Sequence, residues 1–113
     1  MISKANLIND FLSYAIEHGK AISSGDYVKA NKFHKKLHNL NTIAKKENLI
    51  IIFKECLNYN NEGVRLWAAT FLLKTSPDTA EKCLQELTGL KTITGLSAKT
   101  TLDMWKKGLL NLL

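Results

Sequence analysis

Apolar residues recur every three to four positions along nearly the whole chain, and polar turns cut that pattern into about six segments. In the first, about Lys4 to Ser24, the residues Leu7, Ile8, Phe11, Leu12, Ala15 and Ile16 keep helical spacing. Gly25 ends it, and Asp26 is placed to cap the next helix by accepting a backbone N–H. The second, about Tyr27 to Lys46, is the clearest helix, with Ala30, Phe33, Leu37, Leu40 and Ala44 on one narrow stripe. Around that stripe Lys32, Lys35 and Lys46 fall on the far side, Lys29 and Lys36 along one border, and Asn31, His34, His38 and Asn41 toward the other.

The third segment, about Glu47 to Leu57, contains Leu49-Ile50-Ile51-Ile52-Phe53, whose β-branched residues favour a strand by propensity. Yet Leu49, Phe53, Cys56 and Leu57 keep helical spacing and a lone strand would have no partner, so a short buried helix is predicted. The fourth, about Glu62 to Lys74, is apolar nearly all round, which predicts a helix at the centre of the fold, with Trp67 in the core. The fifth begins with Ser76 as N-cap, Pro77 at the first helical position and Asp78 in the positive first turn, and stops at Gly89. A loop is expected over Leu90 to Leu96, then a sixth helix from near Ser97, carrying Leu102, Trp105, Leu109 and Leu110 and ending or kinking at Gly108. No linker or low-complexity tract interrupts this, so residues 1–113 read as a single all-α domain. Its first two helices form a long antiparallel pair and its last four form two short hairpins.

Composition changes the picture in two places. Sixteen basic residues against ten acidic ones leave a net charge of +6, which favours an acidic partner. Cys56 and Cys83 fall among apolar neighbours with no metal-ligand spacing, which reads as two buried free thiols in a reducing cytoplasm. The amphipathic start, with Asn9, Asp10 and Glu17, does not read as a signal peptide, and the longest apolar run, Leu49 to Phe53, is too short to cross a membrane.

Candidate chemistry is sparse. His34 and His38 lie four residues apart on one helix face, but His-Lys-Lys-Leu-His lacks the glutamate of a zinc-protease helix, and His18 belongs to another helix. Neither cysteine has the helix N-terminus or Cys-x-x-Cys setting that lowers a thiol pKa, and no phosphate-cradling glycine loop occurs. No catalytic, metal or cofactor residue is therefore assigned, and the chain does not read as an enzyme. Arg65, the only arginine, is expected to brace a neighbouring turn through carboxylate or carbonyl contacts, with Glu62 and Asp78 as candidate partners. The surface feature that remains is the basic side of helix two. Lys29, Lys32, Lys35 and Lys36 would supply charge, and His34 and His38 directional contacts, to a protein partner with an acidic face. Nucleic acid is the alternative, in a weak and salt-sensitive form, because arginines are lacking and Tyr27 and Phe33 are expected to be used in packing.

Several of these stretches also resemble a known family. Lys29-Ala30-Asn31-Lys32 with Leu37 and Ile43, Asn60 through Ala69, and Thr101 through Gly108 are similar to a small bacterial HEAT/armadillo-like helical family of unknown function. The likeness implies a short right-handed superhelix of α-α pairs and no catalytic residues. Some small bacterial helical-repeat proteins are immunity proteins that block a toxin, and the resemblance extends that expectation here. Inhibitors of nucleic-acid-cutting toxins are often acidic mimics, however, and this chain is basic.

Overall fold

Helix boundaries follow from side chains that satisfy the orphan backbone groups at each end. The structure, a computed structural model, describes residues 3–110. Met1 and Ile2 lie outside the described residues, as do residues 111–113. Six helices run in order: α1 (Lys4–Ser24), α2 (Tyr27–Lys46), α3 (Ile51–Cys56), α4 (Glu62–Leu72), α5 (Pro77–Leu87) and α6 (Ile93–Lys106). There is no strand among the described residues. The side chains of Ser3, Asp26, Asn61 and Thr92 accept the backbone N–H three residues on, at 3.0–3.2 Å, opening α1, α2, α4 and α6. Ser76 occupies the cap of α5, but its hydroxyl makes no cap bond, so Pro77 alone marks that start.

Three helices close in the same way. After α1, α2 and α6 a residue in the left-handed region (Gly25 at φ 76°, Asn48 at φ 57°, Gly108 at φ 71°) turns the chain back. The next amide then reaches the carbonyl five residues earlier: Asp26 to Ala21, Leu49 to Ala44 and Leu109 to Met104.

Two boundaries differ from the sequence expectation, each for a local reason. The third helix begins at Ile51 rather than Glu47, because Asn48, a residue that tolerates left-handed backbone, completes the stop of α2. The expected loop over Leu90 to Leu96 is mostly the first turn of α6. Thr92 caps it, and Gly95 sits inside the helix with a hydrogen where a Cβ would overlap the Leu90 carbonyl oxygen. Gly95 is there for close approach, not for a turn.

Packing is organised on α4. Eight of its eleven residues are buried, and it touches α1, α3, α5 and α6. Ala68 and Ala69, both fully buried, let the neighbours come near. The pairs α1 with α2, α3 with α4 and α5 with α6 each pack together, as expected of helical hairpins. Glu17 pairs with Lys29 and Tyr14 with Phe33, and Asp10 lines the same groove as Asn39, an order that makes α1 and α2 antiparallel. The aromatic centre joins α1, α3 and α4: Phe11 meets Phe53 edge-on at 5.0 Å, and Phe53 lies 5.2 Å from Phe71. With principal extents of 39 × 31 × 26 Å, the described chain is a rounded short stack rather than an elongated solenoid.

Candidate functional site

The face of α2 has two borders, and the structure gives each a different neighbour. On the side toward α1, Lys29 reaches Glu17 at 3.4 Å, a pair near the surface. Lys36, half-buried, holds its ammonium 5.3 Å from the centre of the Tyr14 ring, and Lys32 lies 5.7 Å from that of Phe33. The Tyr14 and Phe33 rings are 6.1 Å apart across the α1–α2 seam. Lys35 is exposed, and none of Lys32, Lys35 and Lys36 pairs with a carboxylate among the described residues. Beside this row runs a groove of about 440 Å³ lined by Asp10, Tyr14, Lys36, Asn39 and Ile43. The result is a cationic strip with aromatic and aliphatic footing.

One packing expectation fails on this face. Tyr27 is 71% exposed, with Val28 beside it 84% exposed, at the first turn of α2. Phe33 is only half-buried. Aromatics are therefore present at the surface next to the lysines.

The other border of α2 meets α4. His34 and His38, with ring centres 4.4 Å apart, set their rings edge-on against Trp67 at 5.4 and 5.5 Å, and His38 also meets Phe71 at 5.7 Å. From α1, His18 joins them: it packs at 5.2 Å on Trp67, whose indole N–H donates to His18 Nδ1 at 3.4 Å. Burial pushes all three imidazoles below their ordinary pKa. His34 adds charge repulsion at His18 and His38, and Lys45 adds more at His38. His38 Nε2 and Asn41 Oδ1 are buried with no hydrogen-bond partner. Among the described residues no group of three or more His, Cys, Asp or Glu is placed to hold a metal ion. The cluster is a set of neutral rings packed on an indole.

Sequence spacing paired His34 with His38 but left His18 apart. The signal was present: Phe11, Ala15, His18 and Ile22 continue one helical stripe, so His18 extends the buried side of α1.

Elsewhere, Cys56 is buried and Cys83 only half-buried, in contrast to the expectation of two buried thiols. Burial raises both thiol pKa values. The nearby carboxylates of Glu55 and Glu86 push further up, and Arg65 pulls Cys83 partly back. Arg65 makes no ion pair with Glu62, Asp78 or any other carboxylate among the described residues, so neither of those two partners braces it. Trp105 is half-buried and donates its indole N–H to Glu81 at 3.2 Å.

No known family profile matches the sequence, and no curated protein matches it either. The fold is similar to that in the crystal structure of the protein RPA1889 from Rhodopseudomonas palustris CGA009. The TM-score is 0.86, over 98% of this chain and 94% of that one, at 19% sequence identity. At that identity the likeness is one of fold: an all-helical arrangement shared nearly end to end. No helix of the described residues is long and apolar enough to cross a membrane.

Proposed function

We propose that the chain is a non-catalytic protein-interaction module whose α1–α2 face covers an acidic surface of a partner protein. Its sharpest form is an immunity or antitoxin protein of the cytoplasm, built on a HEAT/armadillo-like scaffold, that blocks a partner by occlusion. The observation that carries this reading is the pairing of free charge with apolar footing. Lys32, Lys35 and Lys36 have no carboxylate partner among the described residues, and Lys36 lines a groove of about 440 Å³ together with Asp10, Tyr14 and Ile43. Unpaired lysines steer an acidic partner, while half-buried aromatics give it area to bury once it docks. Helices rather than loops hold both, so the surface is formed before binding and little ordering entropy opposes the encounter.

A second reading, association with nucleic acid, is favoured by one observation, the 71% exposure of Tyr27 at the end of the lysine row. An exposed ring among lysines is what single-stranded bases stack on. Affinity capture from nuclease-treated and untreated lysate, with Lys32→Glu/Lys36→Glu beside the native chain, separates the two. A protein retained after nuclease and lost with the variant supports the first reading. Nucleic acid recovered only without nuclease replaces it with the second.

A further inference from the structure

The only arginine of the chain lies in a cavity for which the proposed docking face has no use. A hollow of about 490 Å³ opens between α3, α4 and α5, lined by Lys54, Arg65, Lys82, Thr79, Asn58 and Glu86. Each of three helices contributes one cation: Lys54 from α3, Arg65 from α4 and Lys82 from α5. None of the three is ion-paired among the described residues, although Glu86 shares the cavity. Arg65 is held more tightly than a surface arginine. Its Nε is buried without a hydrogen-bond partner, and its backbone carbonyl lies 3.9 Å from Cys83 Sγ.

These features need a common cause. An arginine partly enclosed in the cavity wall with no carboxylate beside it carries a charge that no ion pair among the described residues offsets. No carboxylate among the described residues pairs with Arg65, Glu62 and Asp78 included. Three cations facing one carboxylate leave a site in search of negative charge. The planar donor fork of arginine suits a tetrahedral oxyanion, with lysines as flanking point charges and Thr79 and Asn58 as neutral donors. The volume falls within the range of small-molecule sites and exceeds what a bare ion fills.

We propose that this cavity binds a phosphate-class oxyanion carried on a small molecule, with Arg65 as the central donor, Lys54 and Lys82 flanking it, and Glu86 opposing it. The carboxylate of Glu86 repels the ligand, which sets the affinity and offers a test of opposite sign.

The test is an amide NMR titration of the whole chain with inorganic phosphate, with ribose 5-phosphate, and with ribose as the neutral control, each against chloride at matched ionic strength. Saturable shifts centred on Arg65, Thr79 and Cys83 are expected for both phosphates and not for ribose or chloride. Tighter binding of ribose 5-phosphate supports the proposal by assigning the remaining volume to an organic body, and equal binding would overturn that part of it, leaving a site for the oxyanion alone. Arg65→Gln should weaken binding by about tenfold or more, the share of a charge-assisted hydrogen-bonded contact. Should that variant fail to fold, Lys54→Gln/Lys82→Gln alters two exposed side chains and should weaken binding on an intact fold. Glu86→Gln should tighten it, a gain that a damaged fold cannot produce. Lys32→Glu/Lys36→Glu, on the other face, should leave it unchanged. Shifts no larger than those with chloride, or affinity indifferent to both the Arg65 and the lysine-pair variants, overturn the site.

Discussion

Helix α2 shows how one amphipathic stretch serves two purposes on its two borders. The lysine border faces α1 only at its base, and the one ion pair there among the described residues joins an exposed Lys29 to a half-buried Glu17 near the surface. Such pairs contribute little to stability, which leaves the lysines available to another molecule. The histidine border faces α4. There His34 and His38 exchange water for the edge of Trp67, and His18 of α1 completes the enclosure. Side chains of similar polarity in sequence thus divide by what the third helix sets against them: one border stays open to solvent and is the proposed docking strip, and the other packs into the fold.

The comparison breaks first at Trp67. Truncating it removes the surface on which three imidazoles and Phe71 pack, so Trp67→Ala should lose about 3–5 kcal/mol in urea unfolding, the cost of a large aromatic in a core. A loss under about 1 kcal/mol would mean that the histidine border rests on something else.

Acid gives the next largest effect. Unfolded histidines titrate near 6.5, and the folded ones lie below that value because burial disfavours the imidazolium. Above that pH both states are neutral and the full stability is present. As pH falls through it, the unfolded chain takes up protons that the folded one refuses. Stability therefore declines until the folded pKa values are passed. The groups facing the cluster, the Trp67 indole, Lys45 and the histidines themselves, offer no carboxylate partner that would reverse this sign. The melting temperature should begin to drop as pH falls below about 6.5, before most carboxylates titrate. Replacing His18, His34 and His38 together by Gln should flatten that slope relative to the native chain, and an unchanged slope would place the acid sensitivity elsewhere.

Much of this fold was legible because each helix carries its own punctuation. Asp26, Gly25, Pro77 and the stripe of α2 are local signals, and local chemistry placed the elements they mark. What escaped was contextual. Asn48 takes a left-handed turn only because α2 ends there, and Gly95 lies inside α6 because Leu90 folds back against it. Neither reason exists until the neighbouring segment is in place. The same limit governs the candidate sites. The lysine row was visible, since charge on a helix face is a one-helix property. The partnering of His18 with α2, the exposure of Tyr27 and the unpaired state of Arg65 each depend on two or three helices meeting.

Smaller effects should fall on the lysine border. Lys32→Glu/Lys36→Glu should change stability by no more than about 0.5 kcal/mol per site, the weight of exposed cation–aromatic contacts, while partner capture is lost. A melting temperature that falls together with capture would show that these lysines act through the fold, and the proposed division of labour would be wrong.

The finest test uses Glu17, which lies between the borders: it pairs with Lys29 at 3.4 Å and Lys20 at 3.9 Å and precedes His18 in the chain. Glu17→Gln should leave stability within about 0.5 kcal/mol, because both pairs lie near the surface. It frees Lys29 and removes a negative charge from the rim, so association with an acidic partner should quicken at low salt and the gain should vanish as salt screens it. A loss above about 1 kcal/mol would instead make the Glu17–Lys29 pair part of the α1–α2 seam. Lys29 would then belong with the histidines, and the recognition strip would begin only at Lys32.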